Sequence, residues 1–310
     1  MVVAPAILAL SLVVDRVLGD PQKGYHPVAV LGRFISWWGQ PARYPGWLQR
    51  GAGICFWLAT IGLFSAPFLI IERISPPLIL LLVGPFLLKV CIAWRSLEDH
   101  VRSVIQGLDE GLAQGRERVR MMVSRDTSLL DREHILSAAY ESMAENLVDS
   151  IIAPLFFFGI GELVGAGLAC AAAYRAANTM DAMLGYRDDR LRLGWCAARA
   201  DDFLNYIPAR ITGVLLILSF WFSGRLREAL PVFREGAKKR PGYNGGIPIS
   251  LIAGGCGVCF EKPGVYRIGK RERSLTDGGP CIVNAVGKTT ILFSVLLMVA
   301  LCLLRPLTNT

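Results

Sequence analysis

The chain has 310 residues, 53% of them hydrophobic, and a formal net charge of +8 at pH 7. That is too apolar for an ordinary soluble domain, and the apolar residues come in blocks, so a polytopic membrane protein is expected. The basic residues sit in the connections between the blocks, where the positive-inside rule puts them, so the positive charge gives no ground for a nucleic-acid partner.

The expected fold is all-α: a polytopic helical bundle in which the whole chain, 1–310, forms one membrane-embedded catalytic domain. A span needs about 20 apolar residues. Five or six membrane segments are expected, at approximately 1–18, 51–71, 74–94, 150–174, 203–224 and 285–304, with amphipathic helices at the cytoplasmic face and the main polar helical region at 95–149. The first block lacks a basic leader and a clear cleavage site, so it reads as a retained helix. The connections 19–50, 95–149, 175–202, 225–246 and 262–273 are all rich in Arg and Lys. Strict alternation cannot put them all in the cytoplasm, so one or two segments should turn back. The best candidate is 150–174, broken by Gly159, Gly161, Glu162, Gly165 and Gly167, which reads as a re-entrant pair of half-helices lining a cavity.

In chain order, Asp15 and Asp20 stand at the mouth of the first helix, followed by His26. Burying a carboxylate at mid-bilayer costs about 2.5–3.5 kcal/mol, so both should face water or partners. Gly19-Asp20-Pro21 reads as a turn. Arg95, Glu98, Asp99 and His100 begin an amphipathic helix through Val101, Val104, Ile105 and Leu108 that ends at 111–114. Arg116, Arg118 and Arg120 read as a solvated or headgroup-facing surface.

The stretch 125–150, RDTSLLDREHILSAAYESMAENLVDS, concentrates the polar chemistry. Asp131 is a suitable N-cap with Glu133 in the first turn, and Ile135, Ala138, Ala139, Met143 and Leu147 supply an apolar stripe. The helix is expected to run to about Asp149. Glu141, Glu145 and Asp149 then fall at i, i+4 and i+8, with Asn146 beside them. Like charges so spaced repel by about 0.2–0.5 kcal/mol per pair. Two readings remain: a Mg²⁺ site built from carboxylates plus a substrate phosphate, or a solvated acidic face neutralised by arginines.

Beyond the broken segment, Asn178 and Asp181 lie in YRAANTMDAMLGY, and Arg199, Asp201, Asp202, Asn205 and Arg210 in ARADDFLNYIPAR. Asp201, Asp202 and Asn205 should project near one another. Arg210 interrupts an apolar run, which makes it a functional candidate or a snorkelling side chain. The basic loop 238–246, KKRPGYNGG, offers turn glycines and Asn244 where a phosphate could be held. Four of the eight cysteines (Cys55, Cys91, Cys170, Cys302) sit in apolar runs, Cys256 and Cys259 form a lone CxxC, and no disulfide framework is implied. Val286-Gly287-Lys288-Thr289-Thr290 ends like a phosphate-binding loop, but Ile282 stands where glycine is required and no strand is expected before it, so a Walker-type site is rejected.

Together DRVLGDP…HP, RSLEDH (95–100), RDTSLLD (125–131), ESMAENLVDSIIAPLFF (141–157), YRAANTMDAMLGY (174–186) and ARADDFLNYIPAR (198–210) closely resemble the CobD/CbiB family of integral membrane adenosylcobinamide-phosphate synthases. The match runs in order over most of the chain. The resemblance implies an ATP-dependent acid–amine ligase of cobalamin biosynthesis, which joins the free propionate of adenosylcobyric acid to the amine of (R)-1-amino-2-propanol phosphate. Under it Glu141, Glu145 and Asp149 are expected to hold Mg²⁺, with Asp126 as a further catalytic carboxylate. Arg125, Arg199 and Arg210 would hold phosphate or corrin carboxamides, and Asn146, Asn178 and Asn205 would bridge amides. Arg95, Thr127, Asp181, Asp201, Asp202 and Asn244 complete the expected substrate contacts, and His26 or His100 is the candidate base. ATP enters as co-substrate and the corrinoid as substrate. The expected partners are these substrates, the lipid bilayer, a second copy of the chain or other corrin-pathway enzymes, and no nucleic acid. The expected location is the cell membrane, multi-pass, with the site facing the cytoplasm. One departure is visible: where the family carries Ser-Pro-Asn-Ala/Ser-Gly, this chain reads Pro241-Gly242-Tyr243-Asn244-Gly245-Gly246. The competing reading from another class is a transporter or non-catalytic sensor of an anionic ligand, against which stands the lack of a clear inverted repeat.

Overall fold

A computed structural model describes residues 3–20 and 26–303. Pro21 of the expected turn, and Met1, Val2 and Leu304 at the ends of the expected first and last segments, lie outside the described residues. The elements are α1 (Val3–Leu18), α2 (Pro27–Trp38), α3 (Gln49–Ile74), α4 (Pro77–Cys91), α5 (Trp94–Glu110), α6 (Leu112–Arg120) and α7 (Arg132–Leu147). A π turn over Val148–Ile152 follows, then α8 (Ala153–Glu162), α9 (Gly167–Leu184), α10 (Trp195–Leu204) and α11 (Tyr206–Phe222). The chain ends with α12 (Leu226–Gly236), α13 (Gly246–Cys256), the hairpin β1 (Cys259–Lys262) and β2 (Tyr266–Gly269), and α14 (Leu275–Leu303). The fold is an all-α membrane bundle with one small hairpin.

Among the described residues four helical stretches are long and apolar enough to cross a membrane: Gln49–Ile74, Arg132–Glu162, Trp195–Phe222 and Leu275–Leu303. A fifth arises if α4 and α5, bent by 42°, count as one span. The first expected segment is the helix α1, but its 16 residues reach only about 24 Å at 1.5 Å per residue, short of a hydrocarbon core of about 30 Å.

The chain forms two compact units interleaved in sequence. The first comprises Met1–Ala93, Ala153–Asn205 and Ser294–Thr310. Its core joins Leu31, Ile35 and Trp38 of α2 to Ala176, Met180 and Leu184 of α9. The small residues of α9 let helices approach closely. Its expected break is at 163–166, where the backbone N–H of Ala166 donates to the Gly161 carbonyl (2.8 Å) and α9 packs back on α8. In the same unit Lys89, buried near the end of the apolar α4, pairs with Asp15 of α1 at 3.5 Å and with Asp20. Asp15 is fully buried, so this shared ammonium is what makes two aspartates tolerable at the end of an apolar helix.

The second unit comprises Trp94–Ile152 and Tyr206–Phe293. Two expectations are corrected here and a third is extended. The polar helix does not end at Asp149: the apolar run from Ile151 continues it to Glu162, and the π turn at Val148–Ile152 absorbs the change of register. The amphipathic helix begun at Trp94 ends at Glu110, in keeping with the expected limit, but the Arg116–Arg120 stretch beyond it is a second helix from Leu112, the two separated by Gly111, whose φ = 147° is a conformation that favours glycine. Cys256 is not half of a lone CxxC but is joined to Cys281 of α14. Residues 25 apart meet because α14 returns past the end of α13, a proximity that spacing could not reveal. The bridge closes the base of the hairpin, whose register pairs Phe260 with Ile268 and Lys262 with Tyr266.

Replacing Lys89 by Met is expected to cost about 3–5 kcal/mol, the typical penalty for removing one partner of a buried pair. Denaturant unfolding of the detergent-solubilised protein measures it. A loss below about 1 kcal/mol would show the aspartates to be solvated instead.

Candidate functional site

In the second unit the polar helix α7 builds a network. Asp131 caps it, its side chain accepting the His134 N–H at 2.9 Å. Asp126 forms an Asx turn on the Ser128 N–H (2.9 Å), and that bond holds its exposed carboxyl below the usual range. These two turns deliver Arg125 to Glu141, at 3.4 Å, while the intervening Thr127 is buried. Glu141, 5% exposed, also accepts from Ser137 Oγ (2.5 Å) and from the Tyr266 hydroxyl. Ser137 Oγ in turn accepts the Glu261 N–H at 2.7 Å, which fastens β1 to α7. Burial, then the Glu141 charge, pushes the Tyr266 phenol well above its ordinary value, so Tyr266 keeps its proton and donates.

One helical turn on, Glu145 pairs with Arg240 from the 238–246 loop. Burial works against the Arg240 charge, and Glu145, Tyr266 and Asp149 outweigh it, so the guanidinium stays charged. Arg125 keeps Nε and Nη1 buried without a hydrogen-bond partner among the described residues. A buried unmade bond to a charged group costs about 1–3 kcal/mol or more, and an oxyanion would recover it. Asn146 is spent along the helix, donating to the Ser142 carbonyl (2.9 Å) and accepting from Ser150 (2.9 Å).

The three carboxylates do not converge on one point: among the described residues no group of three His, Cys, Asp or Glu side chains could hold a metal. Glu141 is turned to Tyr266 and Ser137, Glu145 to Arg240, and the π turn carries Asp149 off the i+8 position of a regular helix. Arg210 does not simply snorkel. It donates to Asn244 Oδ1 (2.7 Å) and the Tyr243 carbonyl (3.3 Å), and its guanidinium lies 3.5 Å from the centre of the Tyr206 ring. This ties the two motif stretches 198–210 and 238–246 together. Arg95 and His100 sit on α5, Arg95 bonded to Asp99 at 3.4 Å and His100 Nδ1 to the Ser96 carbonyl at 2.6 Å, so both are occupied along their own helix.

The first unit gathers a second set. Asp201 of α10 accepts from Asn178 (3.1 Å) and Asn205 (2.9 Å), and Asn205 accepts from the Tyr174 hydroxyl (2.7 Å). Asp181 and Asp202 lie close enough for their charges to act on Asp201. Arg199 is on the exposed side of α10. His26 caps α2: its Nδ1 accepts the Val28 N–H at 3.3 Å. A nitrogen that accepts carries no proton, so neutral His26 is the Nε2–H tautomer; its buried Nε2 lies 3.7 Å from Asp20, too far for a hydrogen bond, and has no hydrogen-bond partner among the described residues.

Sequence reasoning missed Lys89, Arg240, Tyr266 and Ser137. The single cation inside the apolar run 74–94 was the available signal for Lys89; Tyr266 stands in no recognisable pattern.

The family described as CobD/Cbib protein matches residues 8–293. The chain belongs to the CobD/CbiB family. It is 37% identical over 266 residues to a probable cobalamin biosynthesis protein CobD of Methanothermobacter thermautotrophicus, covering 85% of this chain and 86% of that one. It is 40% identical over 269 residues to the Pyrococcus abyssi protein of the same name, covering 86% of each chain. It is 37% identical over 300 residues to the cobalamin biosynthesis protein CobD of Brucella suis, covering 91% of this chain and 87% of that one. No solved structure is similar.

The His26 pKa is lowered, by burial first, with Lys89 and Arg175 adding and Asp20 opposing. The unfolded chain therefore binds this proton more readily, and stability falls as pH drops below the ordinary value of 6.5. His26→Asn should remove that component. The wild-type stability advantage should shrink between about pH 7.5 and about pH 5.5, and an advantage independent of pH would contradict the burial of a neutral imidazole.

Proposed function

We propose that this protein is a biosynthetic enzyme of cobalamin formation, an amide-forming ligase that joins adenosylcobyric acid to (R)-1-amino-2-propanol phosphate with consumption of ATP, giving adenosylcobinamide phosphate. The observation that carries the reading is the Arg240–Glu145 pair beside Arg125 and Glu141. An amino-alcohol phosphate carries an ammonium at one end and a phosphate at the other. Arg240 and Glu145 are the complementary charges, paired with each other until that ligand arrives.

On this reading the phosphate takes Arg240 from Glu145, and the freed carboxylate receives the ammonium. Glu145 then accepts the proton that the amine must lose before its nitrogen attacks. A propionate acylates an amine only once activated: transfer of the γ-phosphoryl group of ATP to the carboxylate would give an acyl phosphate and ADP, and attack by the amine nitrogen would form the amide and expel inorganic phosphate. Arg125, whose Nε and Nη1 lack protein partners among the described residues, stabilises the phosphoryl charge that develops. Glu141, fixed by Ser137 and Tyr266, holds Arg125 in place.

Magnesium, the cation expected to accompany ATP, suits these donors in kind, since Mg²⁺ takes one or two carboxylates plus phosphate oxygens. The arrangement is not a three-carboxylate cage, and no step here is routed through a metal held by the protein alone. The Gly242-Tyr243 sequence in place of the family's Ser-Pro leaves Asn244 engaged by Arg210, so the loop's contribution to the phosphate is Arg240.

Purified protein supplied with adenosylcobyric acid, the amino-alcohol phosphate, ATP and Mg²⁺ should yield a corrinoid heavier by the condensed partner. Glu145→Gln, in a protein that folds normally, should lower turnover by about 10²–10³, the loss typical of removing one group that acts in the transition state. Arg240→Gln should raise KM for the amino-alcohol phosphate most. Absence of product with every amino-alcohol phosphate tried would overturn the reading, and full activity in Glu145→Gln would move the proton acceptor elsewhere.

A further inference from the structure

The reaction proposed above needs a nucleotide, and Val286–Thr290, the one stretch reminiscent of a phosphate-binding loop, lies inside the continuous helix α14. The second unit contains a cavity of about 500 Å³ between α5, α7 and the first turns of α14, within the range of about 300–1,000 Å³ common for small-ligand sites. We infer that this cavity is the nucleotide site. The inference rests on the ligase reading for the identity of its ligand, and on the cavity itself for its place.

The walls are apolar: Val101 and Ile105 from α5, Leu136 and Tyr140 from α7, Pro280 and Val283 from α14. Tyr140 is 2% exposed, and its ring reaches the backbone of α14 because residue 279 is glycine, where a Cβ would collide with the phenolic oxygen. Such a slot accepts a flat, weakly polar ring system. Two arginines, Arg102 and Arg132, line it with Glu98; Arg132 is bonded to Asp109 (3.2 Å) and to the Leu108 carbonyl (3.1 Å), and its half-exposed ion pair is one that a phosphate can exchange. Among the described residues Arg102 is bonded to Asp99 on its own helix, at 3.2 Å with its side chain 66% exposed, a pair worth little and readily exchanged. Asn284 and Thr276 complete the lining. The Asn284 amide presents a donor beside an acceptor, the pattern that matches the N6 and N7 edge of adenine. A flat heteroaromatic body, an amide to read its edge and cations for an anionic tail together specify a purine nucleoside polyphosphate.

The position agrees with the chemistry. Arg132, Leu136 and Tyr140 follow each other at four-residue steps on one face of α7, and Ser137, Glu141 and Glu145 do the same on the next, about 100° round the helix. The cavity and the carboxylate network flank the same helix.

The test uses the full chain in detergent, the photoreactive 8-azido-ATP and the fluorescent trinitrophenyl-ATP as probes, and two variants. Arg102→Glu reverses an exposed rim charge without touching the packing, and Val283→Trp fills the slot. The expected result is at least tenfold weaker nucleotide binding in each correctly folded variant, with the photolabel on peptides from 94–110 or 275–284. Full-strength binding in Arg102→Glu with the label elsewhere overturns the inference, as does a label displaced by lipid and not by ATP. Nucleotide held in the cavity without any amide product supports this site and sinks the reaction proposed above. Amide synthesis with an unchanged KM for ATP in both variants does the reverse.

Discussion

A carboxylate on a helix apolar enough to enter a membrane must be paired, and that requirement organises both units of this protein. Desolvating one charge costs several kcal/mol, and only a partner of opposite sign with further hydrogen bonds recovers it. In the first unit Lys89 of α4 serves Asp15 and Asp20 at the other end of a long sequence interval. In the second, Glu141 has Arg125, Ser137 and Tyr266, and Glu145 has Arg240. Apart from Ser137, which is on α7 itself, each partner comes from a different element, so each pair also fixes an element: the 121–131 connection, the β-hairpin and the 238–246 loop are all held to α7 by its acidic face.

The same pairs explain how such a site can stay folded while waiting for a charged ligand. An unpartnered acidic ladder would repel itself and draw water. A ladder closed by arginines is neutral enough to persist and opens only to a ligand that supplies both charges at once. The π turn after Leu147 contributes too, because it lets one continuous helix carry a polar register first and an apolar one beyond it. Widened turns of this kind are frequent at functional sites. Arg125 shows the cost of the arrangement, with two buried N–H groups unsatisfied by the protein.

Much of this was legible in the sequence because it is local. Period and capping chemistry located α7, its Asp131 cap and the amphipathic α5, and the hydropathy blocks anticipated the long apolar helices, though α3 and α14 begin before the expected limits and α4 falls inside them. Residues brought together over long intervals were not legible. Nothing in the spacing of Glu141 and Tyr266, or of Arg210 and Asn244, says that they touch, and Cys256 gave no sign of Cys281. The carboxylate ladder was read from an ideal helix, whereas the side chains have nearer partners and the helix changes pitch, so no group of three ligands is preformed among the described residues. His26 was read as a base from its residue type, whereas its cap bond to Val28 decides its tautomer.

The central claim is that a resting Arg240–Glu145 pair is exchanged for the two ends of a zwitterion. Titrating the detergent-solubilised protein with 1-amino-2-propanol phosphate, with 1-amino-2-propanol and with propyl phosphate tests it directly. Each half-ligand would leave one partly buried charge uncompensated, so the account predicts that the zwitterion binds at least about 100-fold more tightly than either half, an advantage near 2.7 kcal/mol. Half-ligands that bind within a few-fold of the whole would contradict the exchange and return Arg240 and Glu145 to a purely structural role.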